Sequence, residues 1–230
     1  MNEQKSQRIK VTKDGPYLVL GRVLLNSAQI VPDKDDYLLA WKETGKFQDA
    51  ETYLLCRCGK TKTPPFCDSS HIAAGFDGTE TANNIPYKEK AKKYEGPDLT
   101  LFDAKKLCAS AHFCTRAGGT WDLVEQSADP KKASLAKKEA ADCPSGRLVL
   151  IDKKTGREIE PVLNPSITLI EDTLTGTSGP LWVKGRIPVE SADGKAYELR
   201  NRMTLCRCGK SSNKPFCDSK HVSIKFKSKP

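Results

Sequence analysis

Nine cysteines and three histidines carry the reactive chemistry of this 230-residue chain. The cysteines fall in three groups of three: Cys56, Cys58 and Cys67; Cys108, Cys114 and Cys143; Cys206, Cys208 and Cys217. His71, His112 and His221 each lie within four residues of a cysteine. The outer groups share one spacing: Cys-x-Cys, eight residues, Cys, three residues, His. A four-residue step puts Cys67 and His71, or Cys217 and His221, on one face of a helical turn. Cys56 and Cys58 can converge only if the backbone bends, and Gly59, like Gly209 in the other set, permits that bend. Pro65 and Pro215 stiffen the approach to the third thiolate. Three thiolates and one imidazole suit either one tetrahedral zinc or the two irons of a [2Fe–2S] cluster. Structural zinc sites usually separate a close thiolate pair by two to four residues rather than one. The loop of eight is also short for a zinc finger, so the spacing tilts toward iron–sulfur without deciding it.

The two sets are copies of one another. Leu55–Phe76 matches Leu205–Phe226 at 13 of 22 positions, at an offset of 150. Further upstream, the segment from Gly15 answers that from Gly179 at an offset of 164, and Ile9 answers Ile167 at 158. The first copy therefore carries 14 extra residues within Asn26–Thr52, and the second six around its Leu174–Ser178 turn. This divides the chain into a first repeat (1–98), an insert (99–160) and a second repeat (161–230).

Short β-branched or apolar runs punctuated by Gly and Pro must position the ligands. Ile9–Val11, Tyr17–Leu20 and Arg22–Leu25 read as strands, as do Ile167–Ile170, Leu181–Lys184 and Tyr197–Leu205. A short helix should follow Cys67 and Cys217, with Asp68 and Asp218 as N-caps. In the insert, Asp129-Pro130 opens a helix over Lys131–Ala141, which stops at Cys143-Pro-Ser-Gly. Arg147–Ile151 then reads as a strand, and Asp152–Pro165 as a linker. Trp41, Trp121 and Trp182 are assigned to core packing, with Gly118–Trp121 a turn that seats its aromatic.

With 38 Lys+Arg against 29 Asp+Glu, the chain carries a net charge of +9. Of this, +6 falls in residues 161–230, where Lys225, Lys227 and Lys229 crowd the end. That is a solubilising tail or a docking surface for an acidic partner; without interleaved aromatics, nucleic acid is disfavoured. No run approaches the roughly 20 apolar residues of a membrane span. The first residues resemble neither a secretory nor a transit leader, so a cytoplasmic location is expected, where thiols stay reduced.

Both repeats resemble the CDGSH iron–sulfur (NEET-type) motif. The first meets it with Cys56, Cys58, Thr61, Pro65, Cys67, Asp68, Ser70 and His71, the second with Cys206, Cys208, Ser211, Pro215, Cys217, Asp218 and His221. The family's Gly after Asp is here Ser69 and Ser219, and Lys220 stands where a small residue precedes the histidine. The resemblance implies a redox-active [2Fe–2S] cluster per motif, with Cys56 and Cys58 (Cys206 and Cys208) on the inner iron and Cys67 and His71 (Cys217 and His221) on the outer. It also implies a mainly β fold with short helices (α+β), the two repeats forming an intrachain pseudo-dimer in a monomer.

The insert resembles a divergent single-cluster ferredoxin domain. Cys108 and Cys114 precede a distant Cys143-Pro, while Ala111 stands where a ferredoxin's middle thiolate would be. Three readings stand. Cys108, Cys114 and Cys143 hold a [3Fe–4S] cluster, or a [4Fe–4S] cluster completed by His112 or an exogenous ligand; the domain is a spacer without a cluster; or Cys108 and Cys114 form a redox disulfide.

With no nucleophile–base–acid set and no phosphate-binding glycine loop, no enzymatic activity is expected. Electron transfer or cluster storage and transfer is, with a flavoprotein or thiol reductase, or an apo iron–sulfur acceptor, as partner. The rival readings are a zinc-stabilised nucleic-acid or protein binding module, and the redox subunit of an enzyme encoded elsewhere.

Overall fold

A computed structural model describes residues 6–32, 39–47 and 49–228. The first repeat supplies β1 (Arg8–Val11), β2 (Tyr17–Leu20), β3 (Leu24–Pro32), β4 (Leu39–Lys46), β5 (Thr52–Leu55) and α1 (Ser70–Ala73). The middle of the chain supplies α2 (Tyr87–Lys90), β6 (Lys92–Glu95), β7 (Leu99–Asp103), α3 (Thr120–Glu125), α4 (Pro130–Asp142), β8 (Leu148–Asp152) and β9 (Glu158–Ile159). The second repeat supplies β10 (Ser166–Asp172), β11 (Thr177–Lys184), β12 (Val189–Glu190), β13 (Arg202–Leu205) and α5 (Lys220–Ser223).

The fold is mainly β, and the repeats exchange strands. One sheet runs β12-β1-β2-β5, so the second repeat's β12 lies parallel to β1, Ile9 opposite Val189. The other runs β13-β11-β10-β3-β4, with β3 parallel to β10 from Leu24–Ser166 to Ile30–Asp172. Alternation along β1 and β2 buries one face of the first sheet, whereas β10, β11 and β13 of the second are buried on both faces. Ile9, Val11, Tyr17 and Val19 meet Ile167, Leu181, Val183 and Leu205 in one core drawn from both repeats. Each large apolar side chain fully buried there contributes roughly 1.5–3 kcal/mol. The repeats are thus an intrachain pseudo-dimer that shares a core.

The middle segment folds on its own sheet, β6-β7-β8-β9, with α3 and α4 packed on it through Leu123, Val124, Ala136 and Ala140. Asp129 caps α4, accepting the Lys131 N–H at 2.8 Å, with Pro130 in its first turn. Gly118 and Gly119 turn the chain at positive φ into α3, where Trp121 packs on the insert's core.

Four expectations shift. The insert's sheet begins at Lys92 rather than after residue 98, because β6 pairs with β7. β9 interrupts the linker Asp152–Pro165 by pairing with β8. Arg22 turns the chain at φ 53 and the strand starts at Leu24, running on to Pro32 because β10 offers it a full parallel partner. Of Tyr197–Leu205, only Arg202–Leu205 pairs with β11 in a strand. Part of the extra Asn26–Thr52 region extends β3 and forms β4 beside it, with residues 33–38 and 48 outside those described. Lys229 of the basic tail also lies outside the described residues. No helix among those described is long and apolar enough to cross a membrane.

Candidate metal centres

The four ligand candidates of each repeat come together as two pairs. Cys56 Sγ lies 3.6 Å from Cys58 Sγ, and Cys206 Sγ 3.6 Å from Cys208 Sγ. Cys67 Sγ lies 3.4 Å from His71 Nδ1, a spacing repeated between Cys217 and His221. A tetrahedral centre with metal–sulfur bonds of about 2.3 Å sets its two sulfurs roughly 3.7 Å apart, so each pair fits one metal. Among the described residues no three Cys, His, Asp or Glu side chains converge as ligands of a single ion. The hydrogen bond within each thiol pair pulls Cys56 and Cys206 down to about 6 and pushes Cys58 and Cys208 up. A second thiolate so close to the first needs a cation between them, which is the chemistry a metal supplies.

Backbone bonds fix the pairs. Cys56 N–H donates to Pro65 O at 2.9 Å and Cys67 N–H to Leu54 O at 2.9 Å; Cys206 and Cys217 repeat this with Pro215 and Thr204. Thr61 and Ser211, matched in the motif, each donate a hydroxyl to the carbonyl of Phe66 or Phe216 at 2.7 Å. Asp68 and Asp218, expected as N-caps, lie one residue before the N-cap position, which Ser69 and Ser219 occupy in the left-handed region at φ 69 and 71. The acids hold the loop instead: Asp68 accepts from Lys62 and Ser70 N–H at 2.8 and 3.0 Å, bonds that keep its carboxyl below the usual range. Where the family has glycine, serine here holds a left-handed angle that glycine adopts freely. The serine N–H also donates to the third thiol, Ser69 to Cys67 Sγ and Ser219 to Cys217 Sγ, both at 3.4 Å.

The two sites touch across the pseudo-symmetry axis. Gly59 and Gly209 sit at φ 72 and 76; a Cβ on Gly59 would lie 2.8 Å from Cys208 O, and one on Gly209 2.5 Å from Cys58 O. Tyr17 ties the halves further, its hydroxyl donating to Cys206 O and Pro215 O at 2.8 and 3.0 Å.

Their surroundings differ. Cys67 and His71 are half-buried, whereas Cys217 and His221 are 3% and 4% exposed. Burial, helped by the Arg207 guanidinium, lowers His221 to about 4. The residue between the paired cysteines is a buried arginine in both copies, a role the sequence reading missed although the identity is visible in it. Arg207 pairs with Glu171 and donates to Gly179 O and Ile170 O. Arg57 donates to the carbonyls of Thr12 and Gly78 and faces Tyr17 and Phe76; among the described residues it forms no ion pair and its Nε has no partner.

The insert brings its own trio together. Cys108, Cys114 and Cys143 line one small pocket of about 20 Å³ with Ala111, His112 and Arg147. Burial, with Cys143 and Cys108 nearby, pushes the Cys114 thiol up to about 12. All nine cysteines are free thiols, Cys108 and Cys114 included. His112 is exposed in the left-handed region at φ 59, and Ala111 packs in a cluster with Phe113, Trp182, Ile30 and Trp41. Trp41 stacks on Phe113 at 4.7 Å, so β4 covers the insert's cysteine loop.

One side chain bolts the insert to the second repeat. Arg202, 1% exposed, donates to Ala140, Ala141, Cys143 and Leu148 carbonyls and pairs with Glu160. Its counterpart in the first repeat, at the offset of 150, is the exposed Thr52. A cavity of about 620 Å³ is rimmed by Lys90, Lys92, Lys105 and Lys106, with Asp103 and Asp218, over Leu107 and Phe216. Nothing local in the sequence marks these lysines as neighbours.

The family model described as "Iron-binding zinc finger CDGSH type" matches residues 14–72 and 178–222, and "Divergent 4Fe-4S mono-cluster" matches 94–153. No curated protein and no solved structure matches the chain. The matched residues contain both paired-ligand sites and the central trio, so the chain is an iron–sulfur protein in which two CDGSH domains flank a divergent, single-cluster ferredoxin-like insert.

Proposed function

We propose that this protein binds two [2Fe–2S] clusters, one through Cys56, Cys58, Cys67 and His71 and the other through Cys206, Cys208, Cys217 and His221. The observation that carries this reading is the pairing: each site offers two close pairs and no three-ligand grouping about one ion. One tetrahedral zinc needs all four donors around a single point, whereas a two-iron cluster takes one pair on each iron.

The cluster would supply one-electron chemistry. The chain's own residues set its conditions. Neutral histidines replace charged thiolates and raise the potential, and buried Arg57 and Arg207 favour the added negative charge of the reduced state. Asp68, Asp218 and the serine N–H groups hold the outer pair in place.

The protein serves electron transfer or cluster storage and transfer, without an enzymatic activity of its own, as a monomer in the cytoplasm. The partner is a flavoprotein or thiol reductase, or an apo iron–sulfur acceptor. The lysine-rimmed cavity favours an acidic surface on that partner. The insert holds a third cluster on Cys108, Cys114 and Cys143, supported by their shared pocket.

An absorption spectrum of purified protein tests the reading. A red-brown protein that bleaches on dithionite addition is expected. A colourless, zinc-loaded one overturns it in favour of the zinc module.

A further inference from the structure

Two contacts order the three cysteine sites in space. Ser219 Oγ donates to Cys108 O at 2.6 Å, and its N–H donates to Cys217 Sγ at 3.4 Å. One residue therefore bridges the insert's cysteine loop and the outer pair of site two. The counterpart, Ser69, is exposed and bonds Cys67 Sγ through its N–H. Site two in turn abuts site one where Gly59 and Gly209 pack on the carbonyls of Cys208 and Cys58. Site two thus touches both other sites, and the Ser219 bridge has no equivalent at site one.

Resting on the cluster assignments above, we propose that the three sites form one electron relay. It runs from the insert through Ser219 to site two, across the Gly59–Gly209 contact to site one, and out at the half-exposed His71 edge. The direction follows from what surrounds each site. Thiolate ligands hold the insert's potential low, and a histidine raises it in both repeats. Between the repeats, burial of Cys217 and His221 disfavours extra negative charge at site two, and Glu171 offsets Arg207 there. Site one is wetter, and its Arg57 forms no ion pair with a described residue. Added charge is therefore best tolerated at site one.

Each step moves one electron. A low-potential flavin or iron–sulfur carrier is oxidised as the insert is reduced. The insert is reoxidised as site two is reduced, and site two as site one is. A one-electron acceptor docked beside His71 and the exposed Ile72 takes the electron last.

Electron paramagnetic resonance of the full chain, reduced stepwise with dithionite, tests this. The His71→Cys and His221→Cys variants assign the two histidine-site signals by the shift each causes. At partial reduction the site-one signal should dominate. At full reduction the site-two signal should relax faster, and replacing Cys108, Cys114 and Cys143 by Ser should abolish that enhancement while leaving site one unchanged. If that variant does not fold, Ser219→Ala should weaken the same enhancement selectively. An equal effect on both sites, an effect on site one alone, or reduction of site two first overturns the relay. Two histidine-shifted signals with no third centre overturn it too, leaving the two-cluster reading standing. Absence of those signals overturns the two-cluster reading itself.

Discussion

Site one and site two share 13 of 22 residues across their ligand segments, the same pair distances and the same serine-capped turn, yet one lies open and the other is covered. The difference lies outside the motif. The insert lies against the second repeat through Arg202 and Ser219, and Thr52 at the first repeat offers no equivalent bolt. The same geometry of candidate ligands thus differs in exposure through what is laid over it.

The largest expected effect breaks what the sites have in common. Gly209→Ala places a Cβ 2.5 Å from Cys58 O at φ 76, and Gly59→Ala is nearly as tight. Overpacking and a left-handed non-glycine residue together cost about 4 kcal/mol. Chemical denaturation should show both variants severely destabilised, to a similar extent, because the contact belongs to both halves.

Arg202→Met should separate the sites. It leaves Glu160 and the α4 C-terminal carbonyls without their partner, at a cost of about 3 kcal/mol. Hydrogen exchange should speed up in the insert and around α5 and leave β1, β2 and β5 at their original rates.

Acid should distinguish the sites next. His221 titrates in the folded apo-protein at about 4 rather than 6.5, because burial disfavours its imidazolium. Between those values the unfolded chain binds the extra proton, so apo-protein stability falls as pH drops through this window. The loss is on the order of 3 kcal/mol, and His221→Gln should reduce it. In the loaded protein, acid bleaching should be biphasic. His71→Cys should remove the fast phase and His221→Cys the slow one, each lowering the potential of its own cluster; unchanged acid decay would contradict histidine ligation.

Much of this was legible in the sequence. The repeat and the pairing of the eight candidate ligands follow from spacing, and the Asp129-Pro130 cap is local chemistry that reads directly. The cap at Asp68 was misplaced by one residue, because an aspartate that bonds helix N–H groups from just outside looks the same as a true N-cap. The exchange of β3 and β12 was not legible, since parallel pairing between residues some 140–180 apart leaves no local mark. Nothing in the sequence around Arg202 marks it as buried among carbonyls of the insert.

The smallest effect concerns the departure both sites share. Ser69 and Ser219 hold left-handed angles that glycine adopts freely. Ser69→Gly should stabilise the protein by about 1 kcal/mol, read as a raised denaturation midpoint. Ser219→Gly should gain less, because it also deletes the hydroxyl bond to Cys108 O.

Iron, sulfide and zinc per chain test the central claim most directly, measured on a variant with Cys108, Cys114 and Cys143 replaced by Ser. With the insert silenced, two paired-ligand sites should hold about four irons and four sulfides. Two zinc ions and no sulfide would contradict the account.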